Sequence, residues 1–314
     1  MIKTAGIIGA GTMGIGIAFQ LLTHQVTVIL NGHRQVTLDT VKDKLVAYLQ
    51  EFRQAGFTFH EDDATILGRL QLTTTIEDLA DCDLVIEVVP EDLALKQNIF
   101  KKLDTICKPE TILASNTSSL SLAKIVEAVE KHKERLLLIH FFNPAHIVPL
   151  VELLKTTHTT QAVLDEVRQF LDDADKVTIE VKKDLPGLVA NRIQAALVRE
   201  SLALLEDDVV SKADLEKAIS AGLGFRLASS GMLSIMDYGG LDVWRAVMEQ
   251  LQPVIESGVR PFPSLADKVK VGNLGVKTGA GFFDYSNQAT NELELSRNRV
   301  LLHQLKNINN PQEL

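Results

Sequence analysis

Residues 4–31 read TAGIIGAGTMGIGIAFQLLTHQVTVILN, and this stretch decides the fold. An apolar run stops at Gly9, and Gly9, Gly11 and Gly14 then give the spacing G-x-G-x-x-G where a strand should pass into a helix. Gly9 permits a tight turn, Gly11 leaves room for a pyrophosphate beside the backbone, and Gly14 lets the helix pack close to the strand. The stretch therefore predicts a βαβ unit with a dinucleotide site.

Thr12 and Met13 begin the predicted helix, whose first N–H groups are expected to face the phosphates. A glycine turn alone is a weak signal, but an amphipathic helix and a β-rich stretch at residues 26–30 follow this one. Residues 5–22 are apolar enough to suggest a signal peptide or a membrane span. Five glycines fall among them and no small-residue cleavage site follows, so we expect neither.

Composition limits the classes of partner. The 314 residues suffice for two domains of about 100 to 200 residues each. A formal net charge of −9 argues against nucleic acid, because phosphate backbones are bound by clustered Lys and Arg. Cys82 and Cys107 are the only cysteines, and the eight histidines form no H-x-x-x-H pair. We expect a cytoplasmic protein with no metal site and no membrane partner.

Strand and helix patterns alternate as far as residue 181 and then give way to helical periodicity alone. The first part predicts an α/β fold, a Rossmann-type doubly wound, mostly parallel sheet with its ligand at the carboxyl ends of the strands. We expect residues 1–184 to form a dinucleotide-binding domain and residues 185–314 a mainly helical domain, to which the family resemblance described below adds substrate binding and dimerisation. One helix is predicted over residues 35–54, and a polar surface helix with a frayed tail over residues 286–314.

His140 ends the apolar run LLLIHFF, at the sheet edge where this fold binds ligands. A dehydrogenase needs a base for the substrate hydroxyl, and histidine suits this role because its unperturbed pKa is about 6.5. Glu152 lies between Val151 and Leu153, where an ionised carboxylate is costly without a partner. Glu152 therefore either fixes the tautomer of His140 or points outward from an edge strand.

Seven segments resemble the 3-hydroxyacyl-CoA dehydrogenases, most closely the bacterial 3-hydroxybutyryl-CoA dehydrogenases. In chain order the segments are GIIGAGTMGIGIA, LVIEVVPEDLALK, ILASNTSSLSL, HFFNPAHIVPLVELL, DLPGLVANRI, GLGFRLASSG and GVKTGAGFFDY. The resemblance implies that His140 is the catalytic base, that Glu152 is the acid paired with it, and that Ser118 and Asn191 hydrogen-bond the substrate.

The same resemblance assigns residues to the cofactor. Glu91 and Lys96 of PEDLALK match positions near the nicotinamide ribose and carboxamide, and Asn116 of SNTSS is expected at the same site. The family usually has Asp at the end of the second strand, whereas this chain has Asn31, followed closely by Arg34. Asn31 still accepts a bond from a ribose hydroxyl but does not repel a 2′-phosphate. The sequence therefore favours NAD and leaves NADP as an alternative.

The resemblance implies an oxidoreductase that interconverts short-chain (S)-3-hydroxyacyl-CoA and 3-ketoacyl-CoA, with acyl-CoA bound between the domains of a homodimer. One alternative is a dehydrogenase of the same superfamily that acts on a free hydroxy acid, such as a gulonate dehydrogenase. Another is a dinucleotide-binding protein without catalysis. The presence of all four residues His140, Glu152, Ser118 and Asn191 favours an enzyme, since a simple binder needs no such set.

Overall fold

The structure is a computed structural model and describes residues 1–309. The chain divides into two units. The first comprises Met1–Val189 together with the described residues 298–309, and the second comprises Ala190–Arg297. The first carries an eight-stranded sheet and the second is built from helices.

The sheet of the first unit is doubly wound, as the sequence predicts. Its strands are β1 Thr4–Ile8, β2 Thr27–Asn31, β3 Leu70–Thr73, β4 Leu84–Glu87, β5 Ile112–Ser115, β6 Leu136–Phe141, β7 Leu150–Lys155 and β8 Val177–Val181. Their order across the sheet is β3-β2-β1-β4-β5-β6-β7-β8. The first six strands across the sheet, β3, β2, β1, β4, β5 and β6, are parallel to one another. Strand β7 pairs antiparallel with β6 and parallel with β8. The order reverses beside β1, where such folds bind dinucleotides.

Helices connect these strands and cover the sheet. They are α1 Thr12–Thr23, α2 Gln35–Leu38, α3 Val41–Gln54, α4 Asp63–Gly68, α5 Leu93–Ile106, α6 Leu122–Val126 and α7 Gln161–Asp172, with short 3₁₀ turns at Ile76–Leu79 and Lys133–Arg135. Asp62, Asp92 and Thr160 cap α4, α5 and α7, because each side chain accepts from the N–H three residues ahead. Strands β4 and β6 are buried along their whole length, which explains their nearly continuous apolar sequences.

The second unit contains α8 Ala190–Glu206, α9 Lys212–Lys217, α10 Phe225–Leu227, α11 Met232–Gly239, α12 Leu241–Leu251 and α13 Pro263–Lys270. A π-helical turn at Ala218–Gly224 joins α9 to α10, and a 3₁₀ turn lies at Val276–Thr278. The final helix, α14 Thr290–Asn309, begins in this unit and continues into the first. Within residues 1–309 no single helix is long and apolar enough to cross a membrane, although the bent pair Lys212–Leu227 and Met232–Gly239 meets that test jointly.

The structure differs from the sequence-based prediction over residues 35–54. A break after Leu38 separates α2 from α3, so the stretch is two helices and not one. The hydroxyl of Thr40 donates to the carbonyl of Thr37 at 3.0 Å, in competition with the helical hydrogen-bond pattern. Helical periodicity continues across the break and does not reveal it.

The C-terminal helix also differs from the prediction, which assigned it to the helical domain as a surface element. Leu302 and Leu305 are buried in the apolar core of the first unit, and Asn298 donates to the carboxylate of Glu51 in α3 at 3.4 Å. Residues 298–309 therefore belong with the sheet. The polar composition of residues 286–314 does not indicate this packing, since only a few leucines contribute to it.

Candidate active site

The glycine turn after β1 has the shape of a phosphate cradle. Gly9 has φ +120°, and a Cβ at Gly14 would lie 1.8 Å from the carbonyl oxygen of Gly9, so a side chain is excluded at Gly14. A Cβ at Gly11 would meet nothing within 4 Å, which leaves open space beside the backbone. Gly11 caps α1 without a side-chain hydrogen bond, and Thr12 and Met13 form the first turn. This geometry fits a pyrophosphate held by helix N–H groups.

Asn31 ends β2 beside this turn and is buried. Its backbone carbonyl accepts from the N–H of Gly9 at 2.9 Å, and its side-chain NH₂ donates to the carbonyl of Thr73 at 3.3 Å. The donating side of the amide is thus directed at Thr73, and its oxygen is the acceptor left for a ribose hydroxyl. Arg34 is exposed at the N-terminus of α2.

A buried ion pair lies at the carboxyl end of β4. The ammonium of Lys96 donates to Glu87 Oε1 at 2.7 Å and to the carbonyl of Val89 at 3.1 Å, and Ser115 donates to Glu87 Oε2 at 2.7 Å. Glu87 is 0% exposed and Lys96 is 1% exposed. Lys96 therefore ties helix α5 to the end of β4. The sequence-based prediction missed Glu87, although an acid between the apolar residues Ile86 and Val88 is a usable signal.

Glu91 holds the loop that follows β5. Its carboxylate accepts from the Thr117 hydroxyl at 2.8 Å, from the Ser118 N–H at 2.8 Å and from the Ser118 hydroxyl at 3.2 Å, and it lies 3.5 Å from the Lys96 ammonium. Burial raises the pKa of Glu91, but these hydrogen bonds and the charge of Lys96 outweigh it, so the pKa lies below its usual value. Glu91, Lys96 and Ser118 thus form one network.

Asn116 links that loop to the neighbouring strand. Its side-chain oxygen accepts from the N–H of Phe141 at 2.8 Å, and its own N–H donates to the carbonyl of Glu87 at 2.9 Å. Phe141 directly follows His140 in β6. Asn116 therefore fixes the end of the strand that carries the predicted base.

His140 and Glu152 are brought together by the pairing of β6 with β7, in which they are direct cross-strand partners. Nδ1 of His140 lies 2.9 Å from Oε2 of Glu152, and the two residues are 5% and 0% exposed. The ring of Phe142 packs edge-on against the imidazole at 4.6 Å between centroids. An ionised carboxylate only accepts hydrogen bonds, so Nδ1 carries the proton and Nε2 is left as the basic nitrogen.

The other oxygen of Glu152 is also occupied. Oε1 accepts from the main-chain N–H of Val189 at 2.9 Å. Sequence analysis did not identify Val189, because a main-chain donor leaves no mark in the residue type. Asn191 lies at the second position of α8, in the second unit, and is half-buried.

A cavity of about 440 Å³ elsewhere in the first unit contains none of the predicted site residues. It is lined in part by Phe19, Phe59 and Lys176. The ammonium of Lys176 is buried and donates to the carbonyls of Ala145 at 2.9 Å and Val148 at 3.1 Å. Burial lowers the pKa of Lys176 to about 7, which the nearby charge of Asp175 only partly offsets.

Comparison with known proteins extends over nearly the whole chain. A family model described as 3-hydroxyacyl-CoA dehydrogenase, NAD binding domain, matches residues 4–185, and one described as the C-terminal domain matches residues 187–285. The chain is 35% identical over 281 residues to a 3-hydroxybutyryl-CoA dehydrogenase of Clostridioides difficile, with 89% of this chain and 98% of the relative covered.

A second relative has a different substrate in its name. The chain is 30% identical over 303 residues to a 5-formyl-3-hydroxy-2-methylpyridine 4-carboxylate 5-dehydrogenase of Mesorhizobium japonicum, with 96% of this chain and 97% of the relative covered. A crystal structure of an enzyme of that name, described as an NAD⁺-dependent dismutase, superposes with a TM-score of 0.90 at 29% identity and covers 98% of both chains.

The family matches agree with the doubly wound sheet, the glycine turn and the helical second unit. They confirm the resemblance found in the sequence, and the NAD-binding description of the first match indicates an NAD(H) cofactor. The chain belongs to the 3-hydroxyacyl-CoA dehydrogenase family.

Proposed function

We propose that the protein interconverts short-chain (S)-3-hydroxyacyl-CoA and 3-ketoacyl-CoA, with His140 as the base and Glu152 as its partner. The observation that carries the proposal is the buried contact of 2.9 Å between Nδ1 of His140 and Glu152. The pair lies at the carboxyl end of β6, which is the same sheet edge as the glycine turn after β1, because these strands run parallel.

The proton path follows from this contact. In the oxidising direction Nε2 of His140 takes the proton of the 3-hydroxyl while the C3–H bond breaks and the C3 carbonyl forms. The nicotinamide, when bound, accepts the hydride, and the reverse reaction returns it. Glu152 stabilises the positive charge that the imidazole acquires and prevents the ring from turning. The burial of both side chains strengthens this interaction.

Ser118 and Asn191 are proposed to bind the substrate oxygens. The Ser118 hydroxyl donates to Glu91, so its lone pairs remain to accept a bond from a substrate hydroxyl. The Asn191 amide supplies a donor for a carbonyl. A donor aimed at the oxygen where charge develops is worth about 3 to 4 kcal/mol, and we propose this role for Asn191.

We further propose NAD as the preferred cofactor, with Gly9, Gly11, Thr12, Met13 and Gly14 at the pyrophosphate. The oxygen of Asn31 would accept from the adenosine ribose, while Glu91, Lys96 and Asn116 shape the nicotinamide side. The direction of the Asn31 amide supports this assignment, because its NH₂ donates to the Thr73 carbonyl and leaves its oxygen to accept from a ribose hydroxyl.

The helical second unit is proposed to bind the acyl-CoA and to form a homodimer. Several of its large apolar side chains are strongly exposed in the single chain, including Ile193, Phe225, Leu233 and Tyr238. Exposed apolar surface of this kind is typical of interaction sites. The two cysteines are free and buried, which fits the proposed cytoplasmic location.

A free aromatic carboxylate is a second candidate substrate. The pyridine-carboxylate dehydrogenase matches nearly the full chain, whereas the family models end at residue 285 and leave out α14. The same His140–Glu152 pair would then serve an alcohol or aldehyde without a CoA tail.

Reduction of acetoacetyl-CoA, followed by nicotinamide absorbance with NADH and NADPH in parallel, tests the proposal. We expect turnover that is faster with NADH. Oxidation of a hydroxymethyl or formyl pyridine carboxylate is measured beside it. Activity on the pyridine alone would replace the acyl-CoA substrate with the second candidate.

A further inference from the structure

The segment Met1–Val189 ends in a turn in which two consecutive residues have positive φ angles. Gly187 has φ +80° and Leu188 has φ +49°, and Val189 follows immediately before α8. A left-handed conformation is unfavourable for a leucine and persists only where surrounding contacts impose it. Strained residues of this kind cluster at functional sites, which makes their contacts informative.

Three contacts fix this turn on the first unit. The side chain of Leu188 is 4% exposed and packs in the apolar core. The N–H of Leu188 donates to the carbonyl of Leu185 at 3.0 Å, and the N–H of Gly187 donates to the carbonyl of Ser118 at 3.2 Å. The turn therefore directs the N–H of Val189 onto Glu152, where it meets Oε1 at 2.9 Å.

We infer that the main-chain N–H of Val189 is a positioning group for the His140–Glu152 pair, an inference that rests on the proposed role of His140. The carboxylate of Glu152 has two oxygens, and the donor at Oε1 orients the group so that Oε2 faces Nδ1 of His140. The N–H of Val189 donates to Glu152, so its effect on His140 is transmitted through that carboxylate. The N–H of Val189 thereby sets the tautomer of His140.

Replacement of the Val189 amide by an ester tests the inference without altering a side chain. Incorporation of 2-hydroxy-3-methylbutanoic acid at position 189 removes the N–H and places an oxygen against Oε1. We expect kcat to fall about tenfold to a hundredfold, because the ester removes a hydrogen bond to a charged carboxylate. The same ester at Val209 is the matched control, because the N–H of Val209 donates to the Leu204 carbonyl at 3.0 Å and lies outside this turn.

In the Glu152→Gln variant we expect the Val189 ester to change kcat in the opposite direction. In Glu152→Gln the Val189 N–H holds the amide oxygen at the Oε1 position, so the NH₂ group faces Nδ1 and forces the proton of His140 onto Nε2. The Val189 ester removes this constraint and lets the amide turn over. We therefore expect the ester to lower kcat when residue 152 is Glu and to raise it several-fold when residue 152 is Gln.

The ¹⁵N shifts of His140 give a readout that needs no turnover, since they report which ring nitrogen carries the proton. We expect protonated Nδ1 in the native protein, protonated Nε2 in Glu152→Gln, and a return toward protonated Nδ1 when the ester is added. If the tautomer follows this order but acetoacetyl-CoA is not reduced, the positioning inference stands and the proposed substrate falls. If acetoacetyl-CoA is reduced and the ester at Val189 behaves like the ester at Val209, the inference is overturned.

Discussion

Substitution of Glu152 by Gln is the sharpest test of the proposed base. The change keeps the volume of the side chain and removes only its charge and one acceptor. Both contacts of the carboxylate named above are affected, at 2.9 Å to Nδ1 of His140 and at 2.9 Å to the N–H of Val189. The amide can satisfy Val189 with its oxygen, and its NH₂ then faces His140.

The magnitude follows from two losses. A hydrogen bond between an ionised carboxylate and a buried imidazole contributes about 1.5 to 3 kcal/mol, and recovery of the active tautomer against the new NH₂ donor costs about as much again. The sum of roughly 3 to 6 kcal/mol corresponds to a fall in kcat of about 10² to 10⁴-fold. Cofactor affinity should be unchanged, because Glu152 is remote in sequence and in contacts from the glycine turn.

The assay is steady-state turnover of acetoacetyl-CoA, with NADH affinity measured separately and folding checked by circular dichroism. Glu180→Gln is the matched control, because Glu180 lies on the adjacent strand β8 and pairs with Arg168 at 3.2 Å, away from His140. A kcat for Glu152→Gln equal to that of the control would remove Glu152 from the mechanism.

Two further predictions concern the cofactor site and the buried lysine. Asn31→Asp should raise the ratio of kcat/KM with NADH to kcat/KM with NADPH by about tenfold, because a carboxylate repels a 2′-phosphate. It should also lower the free energy of unfolding by about 1 kcal/mol, since the hydrogen bond to Thr73 is lost. An unchanged ratio would show that the adenosine end of the cofactor is recognised by other residues. Burial lowers the pKa of Lys176 to about 7 in the folded protein, below its usual value of 10.5. The unfolded chain therefore binds more protons between these two values, and the free energy of unfolding rises with pH over that range. Relative to Lys176→Met, the native protein should gain about 2 kcal/mol of unfolding free energy between pH 7 and pH 9 in urea titrations, and parallel curves for the two proteins would contradict the assignment.

Much of the fold could be predicted from local pattern. The alternation of apolar strands and helices depends on periodicity, and the glycine spacing depends on the steric demands of one turn, so both are visible in the residues themselves. The same reasoning predicted His140 at a strand end. It did not reveal the break after Leu38 or the helix α4, because short helices leave little periodic signal.

The sequence by itself determined the doubly wound class, the dinucleotide turn and the residue types available for acid–base chemistry. Only the tertiary structure decided which groups meet. The antiparallel pairing of β6 and β7 places Glu152 opposite His140, and a strained turn brings the N–H of Val189 to the same carboxylate. These contacts join residues that are not neighbours in the chain, and the second uses a main-chain N–H, which almost every residue carries. A pattern of residue types reports burial and local conformation, whereas strand register and main-chain direction are fixed by packing of the whole unit.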